Sequence, residues 1–287
     1  MSWVILTILA IFFRAIYSLA TRVLTNNIKV SSVAQSVLLT VLASILSLTL
    51  SPFLGGINFS HFNQIWIPAL LMIVSSSIGN IIYFKGQEAL DTGTTQIAFS
   101  SIVIWGALLS LSFLGSHFSF LQVFGVLLLL MSIILIQYKK TTFIFSPAIF
   151  YIIASAFVFA IFQVTSAEVA KVLPAGTGLP LEYIGSTILM FGLYPKKVLK
   201  DFGSMKINYK NTLKSGLFAS GSTLLYYLFA YLAYAVAPDR GIVVLLLTTQ
   251  VIVSVILGII FLKEKEGMKR KLFAGAIAVV ASILIKA

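Results

Sequence analysis

The dominant pattern in this chain is a series of long apolar runs separated by short polar breaks. The runs cover roughly residues 3–21, 33–51, 64–90, 93–114, 118–138, 146–170, 179–195, 213–237, 240–262 and 270–286. A helix of about 20 apolar residues is long enough to cross a hydrocarbon layer roughly 30 Å thick. The pattern therefore predicts an all-α polytopic membrane protein with ten transmembrane helices. The seventh run is the weakest, because it is short and contains Glu182.

Composition agrees with this pattern. The chain has 287 residues, of which 59% are hydrophobic and 10% charged, and its mean hydropathy is +1.05. These values leave no room for a sizeable soluble domain beside the spans. Cysteine is absent, which excludes thiolate metal sites and cysteine nucleophiles. The first run lacks the basic start of a signal peptide, so we expect it to be a retained span.

Proline positions are consistent with the predicted boundaries. Pro68 falls in the first turns of the third run, and the other six fall at run edges: Pro52, Pro147, Pro174, Pro180, Pro195 and Pro238. A proline inside a helix removes a backbone hydrogen bond, which is costly in lipid. We therefore expect no proline in the interior of a span.

Two stretches of the sequence repeat each other at a constant offset. The stretch "YFKGQEALDTG" (83–93) aligns with "YLAYAVAPDRG" (231–241) at an offset of 148, which pairs Tyr83 with Tyr231. The match predicts a first repeat over 1–142 and a second over 143–287. Each repeat holds five predicted spans, an odd number, so the second should be inverted across the membrane. Inverted repeats are typical of alternating-access transporters.

The motifs around this repeat resemble the drug/metabolite transporter superfamily in its ten-span EamA-like branch. They are an aromatic-rich third span, a tight turn, a fourth span and a closing segment "FLKEKEGMKRKLFAGAIAVVASILI". The best local match is in the second half, where Glu266 stands nine residues before Gly275. Ser116 at the corresponding place in the first half departs from the family, as does "FFRAIY" in place of a Trp-Gly pair. The resemblance implies a small-solute transporter with both termini inside the cell.

The distribution of basic residues predicts the opposite orientation. The formal net charge is +12, and fifteen Lys and Arg residues lie in the odd-numbered connections against three in the even-numbered ones. By the positive-inside rule the odd connections are cytoplasmic and both termini are outside. The same bias explains the charge without a nucleic-acid partner. Charge and resemblance therefore leave the orientation open.

Arg14 is a buried-charge candidate halfway along the first predicted span. A lone Arg at a helix centre costs roughly 2.5 to 3.5 kcal/mol on insertion scales, so it needs a polar cavity or a carboxylate. Tyr17 is on the same helical face, three residues later. Either Arg14 binds a solute or it is a structural residue bonded to backbone carbonyls at a kink.

Lys85 and Glu88 form a second charged candidate at the end of the third span. They are three residues apart and can meet on one helix face. At the repeat offset they correspond to Ala233 and Val236, so the fold itself does not need charges there. One interpretation is that they form the charged rim of a cavity, where Glu88 exchanges a proton or holds a cation. The other is that they only stabilise the end of the helix near the membrane interface.

Aromatic and amide side chains complete the candidate site. Three tyrosines recur at helical spacing on the eighth span and could stack on a flat or cationic ligand, or simply pack between helices. Three glutamines on the fourth, sixth and ninth spans line the same cavity or make interhelical hydrogen bonds worth about 0.6 kcal/mol. The predicted substrate-binding residues are Arg14, Tyr17, Lys85, Glu88, Gln96, Gln163, Tyr227, Tyr231, Tyr234 and Gln250.

These features favour a secondary transporter, and an exporter in particular, for a small organic metabolite or amino-acid-like solute. Proton coupling, and a monomer or a homodimer, are compatible with the sequence. We expect no enzyme activity, cofactor or metal, and a multi-pass location in the cell (inner) membrane. The alternative is a lipid-handling or accessory membrane protein without solute transport. An intramembrane enzyme fits less well, because HExxH and GxSxG motifs are absent.

Overall fold

The computed structural model describes residues 2–28, 30–114, 119–139, 142–143, 146–205, 209–237, 243, 247, 250–263 and 267–286. Ser116, Pro238, Glu266 and the end of the repeated stretch 231–241, from residue 238 onward, carried earlier expectations but lie outside these ranges. Across the described part the fold is all-helical, apart from a two-residue hairpin that pairs Tyr138–Lys139 with Thr142–Phe143.

Twelve α-helices are described, and eleven of them correspond to predicted apolar runs. The first six are α1 (Trp3–Asn27), α2 (Ser32–Leu50), α3 (Trp66–Gln87), α4 (Thr92–Phe99), α5 (Ile102–Leu114) and α6 (Phe120–Gln137). The others are α7 (Pro147–Val169), α8 (Ala175–Leu193), α9 (Pro195–Met205), α10 (Tyr209–Val236), α11 (Gln250–Phe261) and α12 (Met268–Lys286).

Five of the described helical segments are long and apolar enough to cross a membrane. They are Trp3–Asn27, Ser32–Leu54, Trp66–Gln87, Pro147–Val169 and Tyr209–Val236, and Phe120–Leu135 is a shorter apolar helix. Large apolar side chains such as Phe12, Leu70 and Met131 are exposed on the outside, where a bilayer would cover them. The chain is therefore a multi-pass integral membrane protein. The full count of ten spans stays a prediction.

The fourth predicted span is interrupted near its middle. Helix α4 ends at Phe99, and α5 begins at Ile102 after a turn at Ser100 and Ser101. The Ser100 hydroxyl donates to the carbonyl of Ile97, at 2.5 Å. Such side-chain bonds to the backbone compete with the helical ladder. The interruption places the end of α4 beside the interior of the bundle.

The expectation that no proline lies inside a span is wrong for Pro180. Helix α8 begins at Ala175, four residues before the predicted start, so Pro180 is in its interior. Proline has no N–H to donate to the carbonyl of Gly176, one turn earlier. The Ser51 hydroxyl donates to that carbonyl instead, at 2.7 Å and fully buried. A side chain from another segment thus satisfies the bond that proline removes.

Helix α9 is an element that the hydropathy pattern does not predict. It occupies the long basic connection, where Val198 and Met205 are buried against the bundle and Lys196 and Lys197 are exposed. Asp201 accepts hydrogen bonds from the backbone N–H and the hydroxyl of Ser31, which holds α9 against the start of α2. This amphipathic helix therefore belongs to the folded structure.

Helix packing is most extensive in four pairs. Helix α1 packs along α10, α3 along α7, α6 along α12, and α2 along α8. Shorter contacts join α1 to α11, and both α4 and α5 to α7. The largest apolar cluster is formed by side chains of α3, α4, α5, α6, α7, α11 and α12. Each of the four main pairs joins one predicted half of the chain to the other.

The connections between helices meet at two opposite ends of the bundle. At one end, which we call the basic end, Lys271 pairs with Asp91 and the Arg22 side chain donates to the carbonyl of Gln87. The contact between Asp201 and Ser31 belongs to the same end. At the opposite end, the loop after α2 packs on the start of α8, where Asn58 N–H donates to the Thr177 hydroxyl at 2.7 Å. The odd-numbered predicted connections that are described here thus share one end.

Candidate functional site

A polar cavity lies inside the bundle, between helices from both predicted halves. Its volume is about 50 Å³, which is enough for a few water molecules at about 10 to 15 Å³ each. We call it the central cavity. Its polar and aromatic lining comprises Arg14, Tyr17, Ser76, Asn80, Tyr83, Gln96, Phe99, Phe159, Phe162, Gln163, Glu182, Tyr183, Thr223, Tyr226 and Tyr227, with Leu39 and Ile102 completing it.

Arg14 contributes a buried positive charge to this cavity. Its side chain comes from the middle of α1 and is 9% exposed. The guanidinium carbon lies 5.2 Å from the ring centre of Phe99 and 4.8 Å from that of Tyr226. It also donates a hydrogen bond to the Tyr226 hydroxyl. Aromatic faces stabilise a guanidinium by cation–π attraction without neutralising it, so Arg14 can attract an anionic group.

Glu182 contributes a buried carboxyl group from α8. The residue is 2% exposed, and Oε1 accepts a hydrogen bond from the Ser76 hydroxyl. Asn80 donates to the Ser76 carbonyl at 3.0 Å and to its hydroxyl at 3.3 Å. The second oxygen, Oε2, is buried and has no hydrogen-bond partner among the described residues. An incompletely satisfied carboxyl group therefore faces the central cavity.

Arg14 and Glu182 line one cavity but do not neutralise each other. Ion pairs within 4.0 Å in the described part of the chain are Lys171–Glu168 and Lys271–Asp91, and neither includes Arg14 or Glu182. Charged side chains at membrane depth are expensive and usually mark a functional site. The cavity thus has a guanidinium group on its α1 side and a carboxyl group on its α8 side.

Tyr17, Gln96 and Gln163 also line the cavity, and Gln250 bonds to Gln96. The ring of Tyr17 stacks on that of Tyr83, with centres 6.3 Å apart. Gln96 donates to the Tyr83 hydroxyl at 2.8 Å and accepts from the amide of Gln250 at 2.7 Å. Gln96 and Gln163 line the cavity directly, whereas Gln250 contacts it only through Gln96. Gln96 and Gln250 are therefore joined beside Tyr83, and Gln163 lines the same cavity.

The tyrosine stripe of α10 divides between the cavity and the protein interior. Tyr227 lines the cavity, and its ring packs 5.4 Å from that of Phe162. The Tyr231 hydroxyl donates to the carbonyl of Leu173 at 2.6 Å, toward the end opposite the basic end. Tyr234 packs in a separate apolar cluster with residues of α1. One of the three predicted tyrosines thus lies in the cavity wall.

Lys85 and Glu88 lie outside the central cavity, on the protein surface at the basic end. The Lys85 ammonium is 4.4 Å from the ring centre of Tyr151 on α7. Both residues are exposed, and no ion pair within 4.0 Å joins them in the described structure. Their predicted role at the rim of the site stays a prediction.

Several residues of the cavity were not selected from the sequence, and Glu182 and Tyr226 are among them. Glu182 was noticed only as a polar interruption of a short apolar run, although the cost argument that selected Arg14 applies to it equally. Tyr226 is adjacent to the tyrosine stripe and falls off its helical spacing. No group of three or more His, Cys, Asp or Glu side chains able to hold a metal occurs among the described residues.

Comparison with known proteins gives a family match and a likeness to solved structures. Residues 1–138 match the model of the EamA-like transporter family. No curated protein gives a significant match. A solved structure, described only as the crystal structure of a protein, aligns with a TM-score of 0.65 at 16% identity. The alignment covers 98% of this chain and 94% of that chain, and at this identity it shows a shared fold alone.

The family match lies in the first half of the chain, whereas the local motif that suggested the family lies in the second. The two observations concern different residues, and the structural likeness extends over nearly the whole chain. The EamA-like proteins are transporters of the drug/metabolite superfamily, so the resemblance inferred from the sequence is confirmed. Residues 1–138 of this chain are thus similar to the EamA-like transporter family.

Proposed function

We propose that this protein is a secondary transporter that carries a small organic solute across the cell membrane by alternating access. The observation that carries the proposal is the central cavity, which contains the buried charge of Arg14 and is enclosed by helices from both halves. A cavity near the middle of the spans, between two repeats, is the usual location of a substrate site in such proteins.

The helix pairing supports the inverted repeats on which this mechanism depends. If residues 1–142 and 143–287 are exchanged by a two-fold rotation, α1 corresponds to α7 and α3 to α10. The extensive pair α1–α10 then corresponds to the equally extensive pair α7–α3. The pairs α2–α8 and α6–α12 each join counterparts and map onto themselves. This pattern is what a pseudo-symmetric transporter would show.

The size of the cavity supports an occluded conformation. Ligand pockets usually have volumes of about 300 to 1,000 Å³, well above the 50 Å³ found here. The Asp91–Lys271 contact closes the basic end, and the contact of Ser51 with Gly176 closes the other. In the proposed cycle, these two sets of contacts separate in turn and the cavity widens toward one side of the membrane.

The chemistry of the wall supports an organic solute with an anionic group. Guanidinium is suited to carboxylate and phosphate groups because its donors form a planar fork. The rings of Tyr17, Tyr83 and Phe162 line the same cavity and offer flat apolar contacts to a solute. The proposal also includes export as the direction of transport, coupling to protons and a location in the cell (inner) membrane. Flux measurements with defined gradients test the direction and the coupling, and cell fractionation tests the location.

Flux in proteoliposomes tests the proposal. Purified protein would be reconstituted with amino acids, organic anions, nucleotides and cationic drugs, with and without a pH gradient. We expect saturable flux of an anionic or zwitterionic solute. Arg14→Gln should reduce this flux at least tenfold, because the loss of a contact worth about 1.4 kcal/mol weakens binding about tenfold. Lys197→Gln, which removes an exposed charge on α9, is the control. Absence of protein-dependent flux for every class would contradict the proposal.

A lipid-handling role is the second candidate, and a groove at the basic end favours it. The groove has a volume of about 390 Å³ between α1 and α10, and Lys214, Asn27 and Phe218 are among its lining residues. A lysine beside amide and hydroxyl groups suits an anionic headgroup at the membrane interface. Protein-dependent transfer of labelled anionic lipid between leaflets, without solute flux, would favour this candidate over the first.

A further inference from the structure

The groove between α1 and α10 at the basic end presents several hydrogen-bond donors on one surface. Asn211, Lys214 and Ser215 line it from α10, at a spacing that places them on one helical face. Asn27 lines it from the end of α1, and its amide donates to the Ser215 hydroxyl at 2.9 Å. Two amides, a hydroxyl and an ammonium therefore line a single groove.

The charge of this groove is positive. Among the described residues that line it, none is acidic, and Lys214 is exposed. Neither of the ion pairs within 4.0 Å in the described part of the chain includes Lys214. Lys210, one helical turn earlier on α10, is exposed as well. An anionic group would therefore be attracted to the groove and would meet no carboxylate of its wall.

The apolar lining residues of the groove lie one helical turn away from its polar ones. Val23 precedes Asn27 by four residues on α1, and Phe218 follows Lys214 by four residues on α10. Helix α1 ends at the basic end and α10 begins there, so both apolar residues lie about 5.4 Å further along the spans. The groove thus changes from polar to apolar in the same direction as a phospholipid, from headgroup to acyl chain.

The surroundings of the groove are those of a membrane interface. Tyr209 and Lys210 are exposed at the start of α10, and both residue types are typical of the headgroup level. Leu217 and Phe218, about two turns later, are exposed apolar side chains that acyl chains would cover. The groove volume of about 390 Å³ is within the usual range for ligand pockets.

We infer that this groove is a binding site for an anionic phospholipid of the surrounding leaflet. Lys214 and Asn211 bind its phosphate headgroup, and Val23 and Phe218 contact the start of an acyl chain. The lipid stays bound and bridges α1 and α10, so it stabilises the native state. This inference goes beyond the proposed transport function and does not depend on it, because the site is at the protein surface and separate from the central cavity.

Lipids that differ in one property at a time test the inference. The purified full-length protein in a neutral detergent would be titrated with phosphatidylglycerol or phosphatidylcholine carrying the same short acyl chains. Both contain a phosphate, but only the first has a net negative charge. Glycerol 3-phosphate, which has no acyl chain, is the third ligand. A ligand that binds the native state alone raises the midpoint of thermal unfolding according to its dissociation constant.

The expected result is a preference for the anionic lipid that depends on one lysine. Wild-type protein should bind phosphatidylglycerol about fivefold more tightly than phosphatidylcholine, the factor expected for one lysine near an anionic lipid. Glycerol 3-phosphate should leave the midpoint unchanged at the same concentrations. Lys214→Gln should remove the preference, and Lys214→Arg should keep it. Phe218→Ala should weaken the binding of both lipids.

The matched control is Lys197→Gln, which removes an exposed lysine on α9 at the same end and should leave the preference intact. An equal loss in Lys197→Gln and Lys214→Gln would overturn the inference, because the attraction would then come from diffuse surface charge. Equal binding of the two lipids by the wild type, which needs no variant, would also overturn it. So would an equal effect of glycerol 3-phosphate, which would indicate a site for a soluble phosphate compound. Solute flux is a separate measurement, so failure of this site leaves the transport proposal standing.

Discussion

The ammonium group of Lys271 lies 3.0 Å from a carboxylate oxygen of Asp91 and joins the last helix to the first half of the chain. The Lys271 side chain is 6% exposed and that of Asp91 is 31% exposed. Asp91 is also the N-cap of α4, where it accepts from the backbone N–H and the hydroxyl of Thr94, both at 2.9 Å. One carboxylate therefore both starts a cavity-lining helix and joins α12 to it at the basic end.

Variants of Asp91 separate these two roles. Asn caps helices as well as Asp does, whereas Ala costs about 0.5 to 2 kcal/mol at an N-cap. We expect Asp91→Asn to lower the free energy of unfolding by about 2 kcal/mol, because it leaves a nearly buried Lys271 unpaired, and Asp91→Ala to lower it further. Chemical unfolding in detergent micelles measures both. Equal stability of Asp91→Asn and wild type would show that the ion pair is not stabilising.

Pro180 and Ser51 should be energetically coupled through the carbonyl of Gly176. Ser51→Ala leaves that buried carbonyl without a donor and should cost about 1 to 3 kcal/mol. In a Pro180→Ala background, the backbone N–H of residue 180 can bond the carbonyl, so the same change should cost much less. A double-mutant cycle measures the coupling. Additive effects of the two substitutions would contradict this account of Pro180.

Two glycines of α8 should respond oppositely to alanine. A Cβ on Gly176 would lie 2.5 Å from the carbonyl oxygen of Ser51 and 2.8 Å from that of Gly56, whereas one on Gly192 meets nothing within 4 Å. Gly176→Ala should therefore destabilise the protein, and Gly192→Ala should stabilise it by about 0.5 to 1 kcal/mol through helix propensity. Thermal unfolding compares them. Similar midpoints would mean that the loop does not pack closely on α8.

Gln250 should affect transport only by positioning Gln96. It donates to Gln96 at 2.7 Å, while Gln96 itself reaches the cavity. Gln250→Met should weaken the apparent affinity for the solute, Gln96→Met should weaken it more, and the double variant should be no worse than the latter. Concentration-dependent flux in proteoliposomes gives these affinities. An additional loss in the double variant would indicate an independent role for Gln250.

The membrane class and the positions of most helices could be predicted from the sequence. Long apolar runs determine helices in lipid because every backbone group must be satisfied within the segment. Helix α9 was missed because its pattern is amphipathic, and hydropathy averaged over a window hides one apolar stripe such as Val198 and Met205. The predicted start of α8 was wrong because Pro180 was treated as a helix boundary. Pro180 lies inside the helix because the Ser51 hydroxyl, from a distant segment, bonds the carbonyl that proline leaves without a donor.

The candidate site was predictable where a charge stands alone in an apolar run. Arg14 was found by that rule and lies in the cavity, and Glu182 obeys the same rule but was treated as a defect of its span. Lys85 was selected by its spacing from Glu88, yet spacing along a helix end does not tell which direction a side chain faces. Which of Tyr226 and Tyr231 reaches the cavity depends on the rotation of α10 against α1, and that is a property of tertiary packing.

Alternating exposure of the central cavity is the claim on which this account depends, and the absence of cysteine makes it directly measurable. Thr223→Cys would place one thiol in the cavity wall, with Ser132→Cys as a buried control on α6 and Lys197→Cys as a surface control. Labelling with a membrane-impermeant maleimide would be measured in sealed vesicles of both orientations. We predict that the Thr223→Cys variant is labelled from either side, the Lys197→Cys variant from one side and the Ser132→Cys variant from neither. Labelling of the Thr223→Cys variant from a single side, or from neither, would contradict alternating access.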